Sequence, residues 1–266
     1  MPQLSDAAQK QGVLWGRLAR DWVEFQEGIE REVWTAALDA AGVREGVAAL
    51  DCGCGAGGAL MEAASRKAIP SGFDPSINLL TIARERLPIA DLRIAELGNI
   101  PWPNGAFEAV MANNTLQFTD DPQLGLHEMG RVAAPEGRIA VAVWDQPERC
   151  DLGRVFDAIR ALFPRPPRSR GAFALSAPGR LEELFASVTV VRLARIDVVE
   201  ARCEYPSPDA AVRGQMSAGA TQRAVEIFGD EVVRAAVRSA LEPFVVNGPV
   251  VLRNRCRIAL ARPLPI

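Results

Sequence analysis

Between Ala8 and Ala41 the apolar residues Leu14, Leu18, Trp22, Phe25, Ile29, Val33 and Leu38 recur at three- and four-residue spacing. That spacing predicts one or two amphipathic helices, with Gly42 as the C-terminal stop. Beyond Gly42 the pattern changes to short apolar runs separated by helical stretches. Val47 to Leu50 reads as a strand meeting a Gly-rich turn, and Ala59 to Lys67 as the helix leaving it. Ala68 to Phe73 is a second strand closing at Asp74, with Pro70 tolerable near its start. Ser76 to Arg86 is a helix capped by Ser76 or Asp74. Further strands are expected over Leu92 to Ala95, Ala109 to Ala112 and Arg138 to Trp144, with a helix over Pro122 to Ala133 that carries proline in its first turn.

Strands that alternate with helices and are apolar almost throughout indicate an α/β fold with a parallel sheet covered on both faces. Such sheets bind ligands at the carboxyl ends of their strands. Asp51, Asp74, Glu96, Asn113 and Asp145 each follow one of these strands and predict a polar rim there. Later in the chain, Leu152 to Phe163 and Pro178 to Ala186 read as helices, Val188 to Val199 as one or two strands, and Val250 to Ala261 as a final strand. Pro208 to Val246 is expected to be mostly helical, weakened at Gly214, Gly219 and Gly229 and ended by Pro243. No repeat or low-complexity linker separates these parts, so the expectation is a single domain over 1–266. It comprises an N-terminal helical cap (1–44), a ligand-binding core (45–147) and substrate-side helices with the final strands (148–266).

Composition narrows the partners. The chain has 266 residues, a net charge of −3 and 48% apolar residues, the profile of an ordinary globular protein without the basic footprint of a nucleic-acid or anionic-membrane binder. Arg165, Arg168 and Arg170, set among Pro164, Pro166 and Pro167, read as a solvated loop. No apolar run reaches the roughly 20 residues of a membrane helix, and the N-terminal residues lack the apolar stretch of a signal peptide. A cytoplasmic protein with a small-molecule substrate, no nucleic acid and no membrane insertion is expected, as a monomer or homodimer. The cysteine count is odd, and only Cys52 and Cys54 lie close together, flanking Gly53. With His127 the sole histidine, no metal site is expected, and the two cysteines read as small side chains in a tight place.

The stretch LDCGCGAGGAL, Leu50 to Leu60, is where chemistry enters. Gly53, Gly55 and Gly58 satisfy the GxGxxG pattern of a dinucleotide loop. Asp51, however, would set an ionised carboxylate where a dinucleotide places its pyrophosphate, an unfavourable pairing in a partly desolvated cleft. It suits instead a ligand with a positive ammonium and no phosphate.

VAALDCGCGAG, Val47 to Gly57, resembles the first motif of class I S-adenosylmethionine-dependent methyltransferases. The similarity continues through GFDPS (Gly72 to Ser76), AELGNIPWPNGAFEAV (Ala95 to Val110), NNTLQFTDDP (Asn113 to Pro122) and LHEMGRVAAPEGRIAVAVW (Leu126 to Trp144). This ordered set resembles the small-molecule branch similar to ubiquinone/menaquinone C-methylases, the type 11 methyltransferases, over roughly residues 10 to 145. The resemblance implies a Rossmann-like, doubly wound, mostly parallel seven-stranded sheet. It implies S-adenosylmethionine as the cofactor and S-adenosylhomocysteine as its product. Carried over, Gly53 and Gly55 bring the backbone close to the methionine part, Cys54 touches it through its own backbone, and Asp51 reaches the ammonium directly or through water. Asp74 accepts from both ribose hydroxyls while Pro75 packs on the adenine. Glu96 and the backbone N–H of Leu97 read the adenine edge, and the backbone of Asn113 holds the amino-acid end. WGRLARDW resembles an N-terminal aromatic motif that lays Trp22 over that same end. Glu108 stands where the family usually has Asp, and APEG (Ala134 to Gly137) replaces Lys-Pro-Gly-Gly, at positions with no implied ligand contact.

Methyl transfer needs nucleophile, methyl carbon and sulfur held in line and water excluded. A general base is required only where the nucleophile keeps its proton. His127 is expected on the surface, off the Leu126, Met129, Val132 stripe, and related O-methyltransferases carry histidine where this chain has Leu116, Gln117 and Phe118, so the base is unassigned. Trp102 is expected in the core, and Phe156, Ile159, Phe163, Phe173, Met216, Ile227 and Phe228 are expected to form an apolar cap over a mid-sized, fairly apolar metabolite. Two other classes stay open: a nicotinamide-dependent oxidoreductase, and a protein that keeps the cofactor as a scaffold, whether as a binding module or for cyclisation or rearrangement.

Overall fold

A computed structural model describes residues 4–165 and 171–264. Of the Pro/Arg-rich stretch, Pro164 and Arg165 are exposed, while Pro166, Pro167, Arg168 and Arg170 lie outside the described residues. The N-terminal periodicity produces not one helix but a broken series: α1 (Asp6–Gly16), a single turn α2 (Ala19–Asp21), a π-helical turn over Trp22–Gln26, a 3-10 turn over Glu27–Glu30 and α3 (Arg31–Ala41). Leu18 leaves the helical region at the first break and Gly42 ends α3 at a φ of 74°. The Rossmann-like core alternates β1 (Ala48–Cys52), α4 (Gly58–Ser65), β2 (Ile69–Asp74), α5 (Ile77–Arg86), β3 (Asp91–Ile94), β4 (Phe107–Asn113), α6 (Pro122–Val132) and β5 (Ala133–Trp144). Ser76 caps α5 by accepting from Leu79 N–H, and Asp121 caps α6 by accepting from Leu124 N–H. β5 begins directly at the end of α6, earlier than the sequence suggests. Ala133 already pairs with Phe107 across an irregularity in β4, so the APEG segment belongs to the strand.

Helices α7 (Leu152–Ala161) and α8 (Arg180–Ala186) follow, then the long strand β6 (Val191–Tyr205). The predicted helical region after it is three helices, α9 (Pro208–Ser217), α10 (Gly219–Phe228) and α11 (Asp230–Leu241). They are separated at Ala218, which is extended, and at Gly229, whose φ of 84° favours glycine. The last strand is β7 (Val250–Pro263).

The sheet order is β3-β2-β1-β4-β5-β7-β6, with β1 to β5 parallel and β7 antiparallel to both neighbours. Alternate residues feed two cores, as period-2 side chains require. Ala49, Met111, Ala140 and Ala142 face α3 and the C-terminal helices, whereas Leu50, Val110, Ile139 and Val141 face α6 and α8. Cys52 and Trp102 sit in the second core, and Cys54 is buried against Leu60 and Leu80. Among the described residues no group of histidine, cysteine or acidic side chains is arranged to hold a metal. No helix among them is long and apolar enough to cross a membrane.

The N-terminal cap and the C-terminal helices close over the strand ends by packing on each other. A Cβ at Gly12 would collide with the Pro75 carbonyl, so glycine lets α1 lie against the start of α5, where Asn78 Nδ2 donates to the Gly16 carbonyl at 3.0 Å. Gly219 accepts the Trp15 ring, Arg17 pairs with Glu226 at 2.9 Å, and Arg213 pairs with Asp21 at 2.7 Å.

Leu126→Ala removes a fully buried side chain from the core and is expected to cost about 2–5 kcal/mol in denaturant unfolding, while Val13→Ala on the exposed face of α1 stays within about 0.5 kcal/mol. Cys52→Ala with Cys54→Ala is expected to preserve the fold and the metal content of the purified protein by mass spectrometry. The loss is about 1 kcal/mol per buried sulfur removed.

Candidate functional site

Beneath that roof, at the carboxyl ends of β1 to β5, lies a cavity of about 440 Å³. The loop between β1 and α4 forms one wall. Gly53, Gly55 and Gly57 have φ of 76°, 54° and 85°, values that exclude most side chains. The N–H groups of Gly53 and Cys54 both donate to the Phe73 carbonyl, at 2.8 and 2.9 Å, which folds the loop across the end of β2. A side chain at Gly53 would strike Thr115, whereas one at Gly55 would meet nothing within 4 Å, so Gly55 presents bare backbone to open space. Gly58 serves packing instead, because its missing Cβ makes room for the Trp34 ring.

Each sequence-predicted contact lines this one cavity. Asp51, Gly53, Cys54 and Gly55 come from β1 and its loop, and Asp74 and Pro75 from the end of β2. Glu96 and Leu97 follow β3, Asn113 ends β4, and Trp22 descends from the N-terminal cap, packed edge-on to Trp15 with ring centroids 5.1 Å apart. Asp145, the fifth residue of the expected rim, does not join them. Its carboxylate turns to its own loop, accepting from Gln146 N–H at 2.9 Å near Arg255 and Arg149. Of the expected apolar cap only Phe156 lines the cavity. Ile159, Phe173 and Met216 pack into the core, Phe163 and Phe228 pack edge to face with ring centroids 4.8 Å apart, and Ile227 is exposed. His127 is exposed on α6, away from the cavity.

The electrostatics differ from the sequence expectation in one important respect. The sequence predicts an ionised Asp51, yet burial, opposed by one hydrogen bond from Asn113 Nδ2 at 3.3 Å and reinforced by Asp74 and Glu27, pushes its pKa up to about 7. Burial likewise raises Asp74 to about 6, against the pull of two backbone donors, Ser76 N–H at 2.8 Å and Gly55 N–H at 3.0 Å. Asp74 thereby ties the glycine loop to the start of α5 while keeping lone pairs on both oxygens. Glu96 is engaged by the cap: Ser5 donates to its two oxygens from N–H at 2.8 Å and from Oγ at 2.6 Å.

Sequence reasoning missed Gln26, Glu27, Glu30, Asn114 and Gln215, all in the cavity wall. Gln26 and Glu30 lie four and eight residues after Trp22, on the stripe that should be apolar, and that polar interruption is the available signal. Glu27 places Oε1 on Gly58 N–H at 3.1 Å while Arg86 holds Oε2 at 2.6 Å; burial still raises its pKa. The chain's own carboxylate therefore fills the N-terminus of α4, where a dinucleotide pyrophosphate would sit. Glu30 is raised to about 8 by burial, lowered by Asn114 Nδ2 at 3.3 Å and raised further by Glu27 and Asp51. Among the described residues no protein group donates to Asp51 Oδ2 or Glu30 Oε2, and neither atom is sealed from the cavity. Asn113 Oδ1 is buried without a partner.

Residues 50–141 match the family model described as a methyltransferase domain. A demethylmenaquinone methyltransferase from Beutenbergia cavernae is 30% identical over 120 residues, 45% of this chain and 50% of that protein. An uncharacterized 37.1 kDa protein in a transposon of Streptomyces fradiae is 34% identical over 116 residues, 41% of this chain and 34% of that protein. The chain thus spans half or less of the length of these curated relatives. A putative methyltransferase from Bacillus halodurans has a similar structure, with a TM-score of 0.57 at 14% identity over 86% of this chain and 97% of that one. The cyclase SpnF gives a TM-score of 0.56 at 20% identity, covering 86% and 80%. At such identities the likeness is one of fold. Residues 50–141 thus carry a methyltransferase domain, and the chain shares its fold with methyltransferases of known structure.

Proposed function

We propose that the cavity binds S-adenosylmethionine and that the protein transfers its methyl group to a small, fairly apolar acceptor. The observation that carries this reading is the convergence of Asp51, Asp74, Glu96 and the bare backbone of Gly55 on one cavity, in the strand order that the motifs imply. The donor set fits the cofactor. Asp51 has an oxygen free to pair with an ammonium, Asp74 has lone pairs for two ribose hydroxyls, and Trp22 lines the cavity to pack on the amino-acid end. Glu96 stands ready for the adenine amine once it shares or exchanges the Ser5 donors. Bound there, S-adenosylmethionine supplies a methyl group already made electrophilic by positive sulfur. The protein's work is then to orient, to exclude water by closing the two caps, and to balance charge.

That balance has a sign that can be followed. Asp51, Asp74 and Glu30 all have folded pKa values above their ordinary ones, so the folded chain holds protons that the unfolded chain releases. With respect to these groups, ligand-free stability is highest near pH 4 and falls as pH rises toward about 8. A cationic ligand reverses the penalty by pairing with the ionised forms.

Calorimetry is expected to show Asp74→Ala losing at least about 100-fold in S-adenosylhomocysteine affinity, the scale of two charge-assisted hydrogen bonds. Unchanged affinity would remove the ribose assignment. The melting temperature of the ligand-free protein is expected to fall between about pH 6 and about pH 8, while the rise induced by S-adenosylmethionine grows over the same interval and its binding releases protons near pH 6.5. Titrations in buffers of different ionisation enthalpy measure that release.

A further inference from the structure

If the cofactor occupies the β1 to β3 half of the cavity, from Glu96 through Asp74 to Asp51, the acceptor is left the half above β4 and β5. Phe118, Trp144, Leu152 and Phe156 make that half largely apolar. Within it, Glu30 and Gln26 present polar atoms that the protein does not use. The other carboxylates have different engagements: Glu27 is held by Arg86 and Gly58, Asp121 caps α6, and Asp120 is exposed at the mouth.

Gln26 is only 5% exposed, and its amide orientation is fixed. Its Oε1 accepts from Tyr205 Oη at 2.9 Å and from Gln215 Nε2 at 3.3 Å, and Gln215 Nε2 also donates to Tyr205 Oη at 2.8 Å. Nε2 must therefore point away from that network. Among the described residues it has no acceptor, and it is not sealed, so it faces the cavity. Glu30 is held from the other side by Asn114, which follows β4 in the left-handed region at a φ of 48° and is itself steadied by Gln117 Nε2 at 3.3 Å. A fixed donor and an open carboxylate oxygen thus both face the cavity beside its largely apolar half, an arrangement that can receive one polar group of an apolar molecule.

We propose that Glu30 faces the point of methyl transfer and takes the proton of an acceptor that reacts through an O–H or N–H group, with Gln26 donating a hydrogen bond to the same group. This inference rests on the cofactor reading above. In the step, the acceptor's oxygen or nitrogen forms a bond to the methyl carbon. The electron pair of the methyl–sulfur bond stays on sulfur, and the acceptor's proton passes to Glu30 Oε2. Burial, with Glu27 beside it and Asp51 on β1, favours Glu30 holding a proton and Asn114 opposes this, while the Cys203, Cys256 and Tyr205 side chains on β6 and β7 are kept neutral by burial and add no charge.

Sinefungin, in which a carbon-bound amine replaces the methylsulfonium, tests the placement without any acceptor. Wild type is expected to prefer sinefungin over S-adenosylhomocysteine by about 10-fold or more near pH 8, as a buried charge-assisted contact would give. In Glu30→Gln the preference falls to within about 2-fold while S-adenosylhomocysteine affinity stays within about 3-fold of wild type. An unchanged preference in Glu30→Gln overturns the proposal, and so does loss of S-adenosylhomocysteine binding in a folded Glu30→Gln, which would make Glu30 a cofactor contact. Failure of wild type to bind S-adenosylhomocysteine at all overturns instead the cofactor reading. If Glu30→Gln does not fold, Glu30→Asp, which retracts the charge, is expected to show an intermediate preference, and an undiminished one counts against the proposal. In a panel of phenols, amines and carbon acids with labelled S-adenosylmethionine, transfer to a phenol or amine that drops at least about 100-fold in Glu30→Gln supports the acceptor class. Transfer to carbon acids alone overturns it.

Discussion

A parallel sheet whose two faces are both buried leaves solvent access only at the ends of its strands, and every feature of the site follows from that restriction. β1 to β5 lie parallel, so their carboxyl ends converge on one edge, and the polar residues that close β1 to β4 meet there. The glycine loop after β1 folds over the end of β2 because Phe73 takes two of its N–H groups and Asp74 a third. Those bonds bring Asp51 and Asp74 into one low-dielectric space, where neither ionises as readily as in water.

The caps make that space matter. Cleft carboxylates open to water would keep ordinary pKa values. Here the N-terminal segment and the C-terminal helices cover them, joined by glycines that admit close packing and by the buried Gln26, Tyr205 and Gln215 network. Covering acidic groups destabilises the ligand-free fold as they ionise. Part of the cost is offset internally, since Arg86 and the α4 N-terminus receive Glu27.

Much of the fold is legible in the residues. Local periodicity locates the helices and strands of the core, and strand alternation with helices requires a parallel sheet. Differences fall where non-local packing overrides local preference. The APEG segment falls between the predicted helix and the predicted strand, yet it is carried within β5 because Ala133 ahead of it pairs with Phe107 across a register shift. The N-terminal periodicity predicts one or two regular helices, yet the chain inserts a π-helical turn and then a 3-10 turn, which pack Gln26 and Glu27 respectively against distant elements.

The sequence by itself determined the parallel α/β core, the glycine loop and the acidic residues at or just beyond the ends of β1, β2 and β3, because those depend on spacing along the chain and on what a strand end exposes. The tertiary structure alone decided the upward shift of the Asp51 pKa, the exclusion of Asp145 from the cavity, and the entry of Gln26, Glu27 and Glu30 into its wall. Those outcomes depend on burial and on partners far along the chain: Asn113 for Asp51, Arg255 for Asp145, Tyr205 for Gln26 and Asn114 for Glu30. Desolvation and long-range contact leave no local pattern to read.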